Sequence, residues 1–203
     1  MGLAARSSAG LAFATLALAA LGGCVAPVGP VQVTRFHDAA QLSSLGQGTI
    51  AVEAAAGMDP KSLELRTYQL AVARQLRALG YTEVESGNGA QVALVRVSRS
   101  SFKPGRDGSP VSVGMGGATG SHGSGVGLGV GFDLSGPPPE QVATELAVQI
   151  RDRASEKSLW EGRATFTVKA TSPLADTQLG AAKMAEALFI GFPGNSGETV
   201  EVK

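Results

Sequence analysis

The sequence predicts an α+β domain: an antiparallel-rich β-sheet with two helices packed on one face, plus a glycine-rich hairpin insertion. Three patterns predict it. Two segments carry apolar residues at helical spacing. Two late segments alternate apolar and polar residues, so each has one dry face and one wet face. The order strand–helix–strands–helix suits a sheet that keeps its helices on one side.

Taken in order, Val31 and Val33 and then Thr49-Ile50-Ala51-Val52-Glu53 read as strands, the second short and buried. Asp59 is placed to cap a helix, with Pro60 in the first turn, where its missing N–H is harmless. Leu65, Tyr68, Val72, Leu76 and Leu79 form its apolar stripe, Arg74 and Arg77 suit its C-terminal dipole, and Gly80 stops it. Residues 81–85 and 91–102 read as strands around the turn Ser86-Gly87-Asn88-Gly89. Residues 142–153 and 159–170 form a hairpin. Its apolar side carries Leu146, Val148, Ile150, Trp160, Ala164, Phe166 and Val168. A second helix covers about 176–190 and ends at Gly191, with Pro193 beyond.

Between residues 105 and 136 there are 12 glycines. Gly125-Val126-Gly127-Leu128-Gly129-Val130-Gly131-Phe132 alternates strictly, which puts Val126, Leu128, Val130 and Phe132 on one face and bare backbone on the other. With the shorter run at 111–116 it predicts a β-hairpin. The plain reading is a mobile edge hairpin with no partner. The sharper one is that an unpaired edge of this kind is a template for strand addition, which makes these four residues the candidate partner-binding edge, for an envelope protein or a second copy. Gly114-Met115-Gly116-Gly117 is not a dinucleotide fingerprint, because no helix follows it.

Composition excludes several classes. With 17 basic and 17 acidic residues among 203, the chain lacks the cationic excess of a nucleic-acid binder, and no nucleic-acid partner is expected. A single cysteine rules out an intramolecular disulfide framework and multi-cysteine metal sites. Two histidines, His37 and His122, leave little for metal or acid–base chemistry, and both are expected to be solvated. No metal or dissociable cofactor is expected.

The first segment reads as an address. Arg6 supplies a positive start, and LAFATLALAAL over residues 11–21 is an apolar run too short to span a bilayer, which takes about 20 apolar residues as a helix. Leu21-Gly22-Gly23-Cys24 follows and resembles a bacterial lipobox. Small side chains admit the peptidase, and the Cys24 thiol is the nucleophile that accepts a diacylglyceryl group. The expected organisation is a cleaved signal (1–23), a lipidated and proline-containing tether (24–30) and one domain (31–203) with its insertion at 105–136. Diacylglyceryl and N-acyl groups on Cys24 would together hold the protein durably to membrane lipid. Val25, in place of an aspartate after the cysteine, leans toward the outer membrane, facing the periplasm.

Catalytic patterns are absent or incomplete. Ser100-Ser101-Phe102-Lys103 has S-x-x-K spacing, but the S-D-N and K-T-G partners do not occur and Ser100 falls on a strand. Glu145, Asp152 and Glu161 lie near Arg151, Arg153 and Arg163 and read as a polar outer face, while Trp160 and Phe166 read as core.

Residues 31–200 resemble the bacterial lipoprotein family called domain of unknown function 4136. The resemblance rests on the lipobox, the helix exit Leu79-Gly80-Tyr81, the glycine-rich middle, Trp160-x-Gly162 in the late hairpin, and the final helix leading to Phe192-Pro193. The strand at 48–52 departs from the family pattern in lacking aromatics. The resemblance implies location and fold and brings no active site. The expected function is that of a non-enzymatic binding or scaffold module. The alternative is a hydrolase or small-ligand receptor with a pocket between helices and sheet.

Overall fold

A computed structural model describes residues 29–105 and 138–203, together with the backbone of the strands Val111–Gly120 and Gly123–Phe132. Residues 21–24 and His122 lie outside the described residues.

The chain begins with β1 (Val31–His37), a 3₁₀ turn (Ala39–Ser44) and β2 (Thr49–Ala54), followed by α1 (Leu63–Ala78) and the short β3 (Thr82–Glu83). Then come β4 (Gln91–Phe102), β5 (Val111–Gly120), β6 (Gly123–Phe132), β7 (Gln141–Asp152) and β8 (Ser158–Lys169). A second 3₁₀ turn (Pro173–Ala175), α2 (Thr177–Phe189) and β9 (Thr199–Val202) complete it. Seven strands form one sheet in the order β3-β2-β4-β7-β8-β1-β9, and β5 and β6 pair as a separate two-stranded sheet.

The sheet is mixed, which corrects the antiparallel-rich expectation. β2 runs parallel to both β3 and β4, whereas β4–β7, β7–β8, β8–β1 and β1–β9 are antiparallel. The cause is α1: a helix crossover carries the chain back to the starting end of β2, so the next strand repeats its direction.

α1 starts one turn later than the sequence suggested. Ser62, not Asp59, is the N-cap, its hydroxyl accepting from the Leu65 N–H at 3.3 Å, while Asp59 closes a preceding turn by accepting from the Lys61 N–H. Leu65, Tyr68, Val72 and Leu76 are buried as the stripe required, each stabilising the fold by roughly 1.5–3 kcal/mol. At the exit, the Tyr81 N–H returns to the Leu76 carbonyl, and Gly80 takes φ +104°. A Cβ there would lie 2.7 Å from the Gly46 carbonyl oxygen. Leu79-Gly80-Tyr81 is thus a helix stop at which one position has neither the dihedral nor the room for a side chain.

Both helices lie on the same face of the sheet, α1 over β2 and β4, α2 over β8 and β1, and they touch each other. One core fills the space between the layers, with Trp160, Tyr68, Ile50, Leu146, Ile150, Met184 and Leu188 among its fully buried side chains. Trp160 and Phe166 are core, as read from the alternation. The upper end of the sheet is the row Phe102–Gln141–Lys169, and the lower end is where β4 begins and β7 ends. α1 and α2 both run from upper to lower. Arg99 fixes their upper ends together: its guanidinium donates to Glu64 in the first turn of α1 and to the Thr177 hydroxyl and Ala175 carbonyl at the start of α2.

Candidate functional site

The face of the sheet away from the helices carries the candidate site. Alternation along four neighbouring strands sends Leu94 and Arg96 (β4), Ala147, Gln149 and Arg151 (β7), Glu161 and Arg163 (β8) and Thr34 and Phe36 (β1) to this side. With Ala55 and Ala56, which leave β2, they line a concavity of about 540 Å³. Small apolar side chains, Ala55, Ala56 and Ala147, and Leu94 line it beside the polar Thr34, Gln149 and Glu161. Its rim holds three arginines and one large apolar side chain, Phe36, 53 % exposed.

The rim groups are held in place. Arg96 donates to the Ala56 carbonyl at 2.6 Å, which fixes the chain leaving β2 as one wall. Arg163 pairs with Glu145 at 3.5 Å, and Arg151 with Glu156 at 3.6 Å. Glu161 accepts from Gln149 at 2.8 Å and from the Ser158 hydroxyl at 2.9 Å. Asp152 is engaged by Ser155 in the β7–β8 turn. The three carboxylates Glu145, Asp152 and Glu161 therefore do not converge, and the polar outer face read from the sequence stands. Guanidinium forks bind carbonyl and carboxylate oxygens well, as Arg96, Arg151 and Arg163 do here with Ala56, Glu156 and Glu145.

At the edge of this face, Glu53 on β2 receives the Arg153 guanidinium at 2.6 Å and the Gly87 N–H at 2.9 Å. Partial burial by itself raises its pKa. The hydrogen bonds from Gly87 and Arg153 outweigh that, and its carboxyl is held below the usual range.

At the lower end a second constellation is structural. Arg35, the third inward residue of β1 after Val31 and Val33, is only 6 % exposed. Its guanidinium donates to the carbonyls of Leu188 (2.9 Å), Ala187 (3.1 Å) and Ile190 (2.8 Å) and so caps the C-terminus of α2. Burial lowers its pKa, and Glu198 opposes the shift. Beside it Trp160 stacks on Phe189 at 5.4 Å, meets Phe192 at 5.2 Å, and donates its indole N–H to the Pro193 carbonyl at 2.9 Å. His37 is not solvated as expected. Its Nε2 lies 3.1 Å from the Gly194 carbonyl, and its Nδ1 is buried without a partner. Ser196 sits next to it but bonds to the His37 backbone, not to the ring, so the two do not form a nucleophile–base pair.

The pocket imagined between helices and sheet is corrected: that space is packed core, and the concavity lies on the opposite face. Val126, Leu128, Val130 and Phe132 fall on β6, which pairs antiparallel with β5 in the expected hairpin, while the disposition of their side chains lies outside the described part. Leu21, Gly22, Gly23 and Cys24 likewise lie outside it. Among the described residues, no three His, Cys, Asp or Glu side chains are grouped to hold a metal ion, and no helix is long and apolar enough to cross a membrane. Sequence reasoning missed Arg35, Arg96 and Arg99. Only Arg35 left a trace there, as a charged residue at an inward position of an alternating strand.

The fold is thus a mixed sheet with two helices on one face and a second face that, among the described residues, is uncovered and lined by three arginines. The chain belongs to the DUF4136 family, described as a domain of unknown function, which it matches over residues 33–194. It is 35 % identical over 83 residues to an uncharacterised protein of Zymomonas mobilis, a match covering 41 % of this chain and 30 % of that protein. The chain thus spans under a third of the length of that relative. Among solved structures it is similar to a PDZ domain protein from Parabacteroides distasonis (TM-score 0.47, 11 % identity, 94 % of this chain and 41 % of that one). It is also similar to the PelC dodecamer from Paraburkholderia phytofirmans (TM-score 0.43, 14 % identity, 78 % and 96 %).

Proposed function

We propose that this chain is a lipid-anchored module of the cell envelope that acts by binding rather than by catalysis. Acyl groups on Cys24 hold it at the periplasmic face of the outer membrane. The observation that carries the reading is the position of the single cysteine, directly after Leu21-Gly22-Gly23 and an eleven-residue apolar run. The outer sheet face supports the binding role: Arg96, Arg151 and Arg163 line a concavity together with Leu94, Ala147 and Phe36, and among the described residues no paired nucleophile and base stands beside it.

Two surfaces offer themselves to an envelope partner or a second copy: this face, and the β6 strand carrying Val126, Leu128, Val130 and Phe132. The concavity also keeps the receptor alternative alive, now on the outer face of the sheet.

Fractionation of cells expressing Cys24→Ser tests the anchor. The variant is expected in the soluble periplasmic fraction, and equally firm membrane attachment would overturn the reading. Deletion of residues 105–136 is expected to abolish complexes made through the hairpin, whereas Ala147→Arg, which fills the concavity floor, is expected to abolish those made through the sheet.

A further inference from the structure

We propose that the upper end of the domain, with Leu63, Leu179 and Phe102 at its surface, rests on the bilayer that holds the Cys24 acyl chains. This inference depends on the anchor reading and adds the orientation of the domain. Leu63 opens α1 and is 78 % exposed; Leu179 lies in the first turn of α2 and is 52 % exposed; Phe102 ends β4 and is 44 % exposed. Arg99 ties the two helix starts, and with them Leu63 and Leu179, to the upper part of β4. Phe102 stands at the same end on the opposite face of the sheet, where the alternation from Leu94 and Arg96 places it, so the three residues flank the end from both sides.

Tether length selects this end. Only seven residue steps separate Cys24 from Val31, which span at most about 25 Å when fully extended. β1 enters the sheet near its upper end: Gln32 faces Thr165, so Val31 stands level with Phe166, eight residues above Ser158 at the foot of β8. Eight residues of strand span roughly 27 Å. An inverted domain, seated on its lower end, would need a fully stretched tether to cover more than its own length, with the β7–β8 turn still to be cleared. The lower end has exposed apolar side chains of its own, Leu42 and Ile190, and these are out of the tether's reach.

The seating is apolar rather than electrostatic. Among the described residues of this end, Lys61, Arg99, Lys103 and Lys169 are matched by Asp59, Glu64, Glu140 and Asp176, which leaves no net cationic patch there for anionic headgroups. An apolar surface of this size adds weakly to an acyl anchor and fixes how the domain stands.

The test uses the acylated full-length protein in phosphatidylethanolamine–phosphatidylglycerol vesicles that contain nitroxide-labelled lipid. Because acylation consumes the Cys24 thiol, a cysteine introduced as Leu63→Cys, Leu179→Cys or Phe102→Cys can be labelled uniquely with a fluorophore. Leu42→Cys and Ile190→Cys report the far end, and all five side chains are exposed. Expected is quenching of about half the emission at the upper positions, as for groups ~5–10 Å into the headgroup–acyl boundary. The far-end probes should stay unquenched, and high salt should change neither result. Acylated, vesicle-bound protein with unquenched Leu63 and Leu179 probes, with stronger quenching at Ile190, or with quenching that high salt abolishes overturns the orientation alone. Protein without acyl mass on the Cys24 peptide overturns the anchor reading and this one together.

Discussion

The indole of Trp160 lies across the bare backbone of Gly162, two residues further along the same face of β8. A Cβ at Gly162 would penetrate the far edge of the Trp160 ring and approach Leu188 Cδ1 to 2.8 Å. The ring cannot retreat, because Phe189 and Phe192 flank it and its N–H is held by the Pro193 carbonyl. Trp-x-Gly is therefore one packing unit, the glycine providing the floor on which the indole lies.

Gly162→Ala is expected to destabilise the fold by about 2–3 kcal/mol through overpacking. The denaturant midpoint measures the loss, and emission of the single tryptophan, Trp160, should shift toward that of a wetter indole. An unchanged midpoint would mean that the ring relocates freely.

Removing the guanidinium under α2 should be costly. Arg35→Ala leaves the Ala187, Leu188 and Ile190 carbonyls without their donor, and a loss of about 3 kcal/mol is expected from buried acceptors at roughly 1–3 kcal/mol each. Arg35→Lys restores the charge but not the fork, so it should recover only part of the loss. Amide exchange should accelerate first in the last turn of α2.

Gly80→Ala tests the helix exit. With φ at +104° and the Gly46 carbonyl in the way, the variant is expected to lose about 2 kcal/mol, more than a strain-free Gly→Ala change could return. Equilibrium unfolding in urea reads this directly, with the slope unchanged.

The Glu53–Arg153 pair gives a pH signature. Its folded carboxyl ionises below the unfolded value of about 4.3, so the pair contributes fully above that value and loses its contribution as the pH falls through the folded one. Both side chains are partly exposed, and Glu53→Gln is expected to cost about 1 kcal/mol at neutral pH. The gap between variant and parent should close in acid; a gap that persists there would place the effect elsewhere.

Periodicity made much of this fold legible. The stripe from Leu65 to Leu76, the β7–β8 hairpin and the second helix were each written in their spacing. What escaped needs contacts distant in sequence. The parallel setting of β2 follows from which strand β4 chooses as a neighbour, and alternation is blind to that choice. β9 was missed although Val200 and Val202 alternate with polar residues, because four residues carry too little signal without β1 beside them. The concavity assembles side chains from four strands and a loop, so no local segment announces it. Arg35, charged in an inward slot, was the one visible anomaly, and its explanation lay more than 150 residues away in the carbonyls of α2.

The position of β1, between β8 and β9, sets an order of events during biogenesis. The first described strand has both neighbours in the last quarter of the chain, so the ribosome delivers this leading strand long before either partner exists. Until the carboxyl-terminal residues emerge, that leading strand has nothing to zip onto, and the polypeptide must be kept from aggregating as an open chain. A stop codon even shortly before Thr199 would withdraw one of those two neighbours and turn an interior strand into a raw edge.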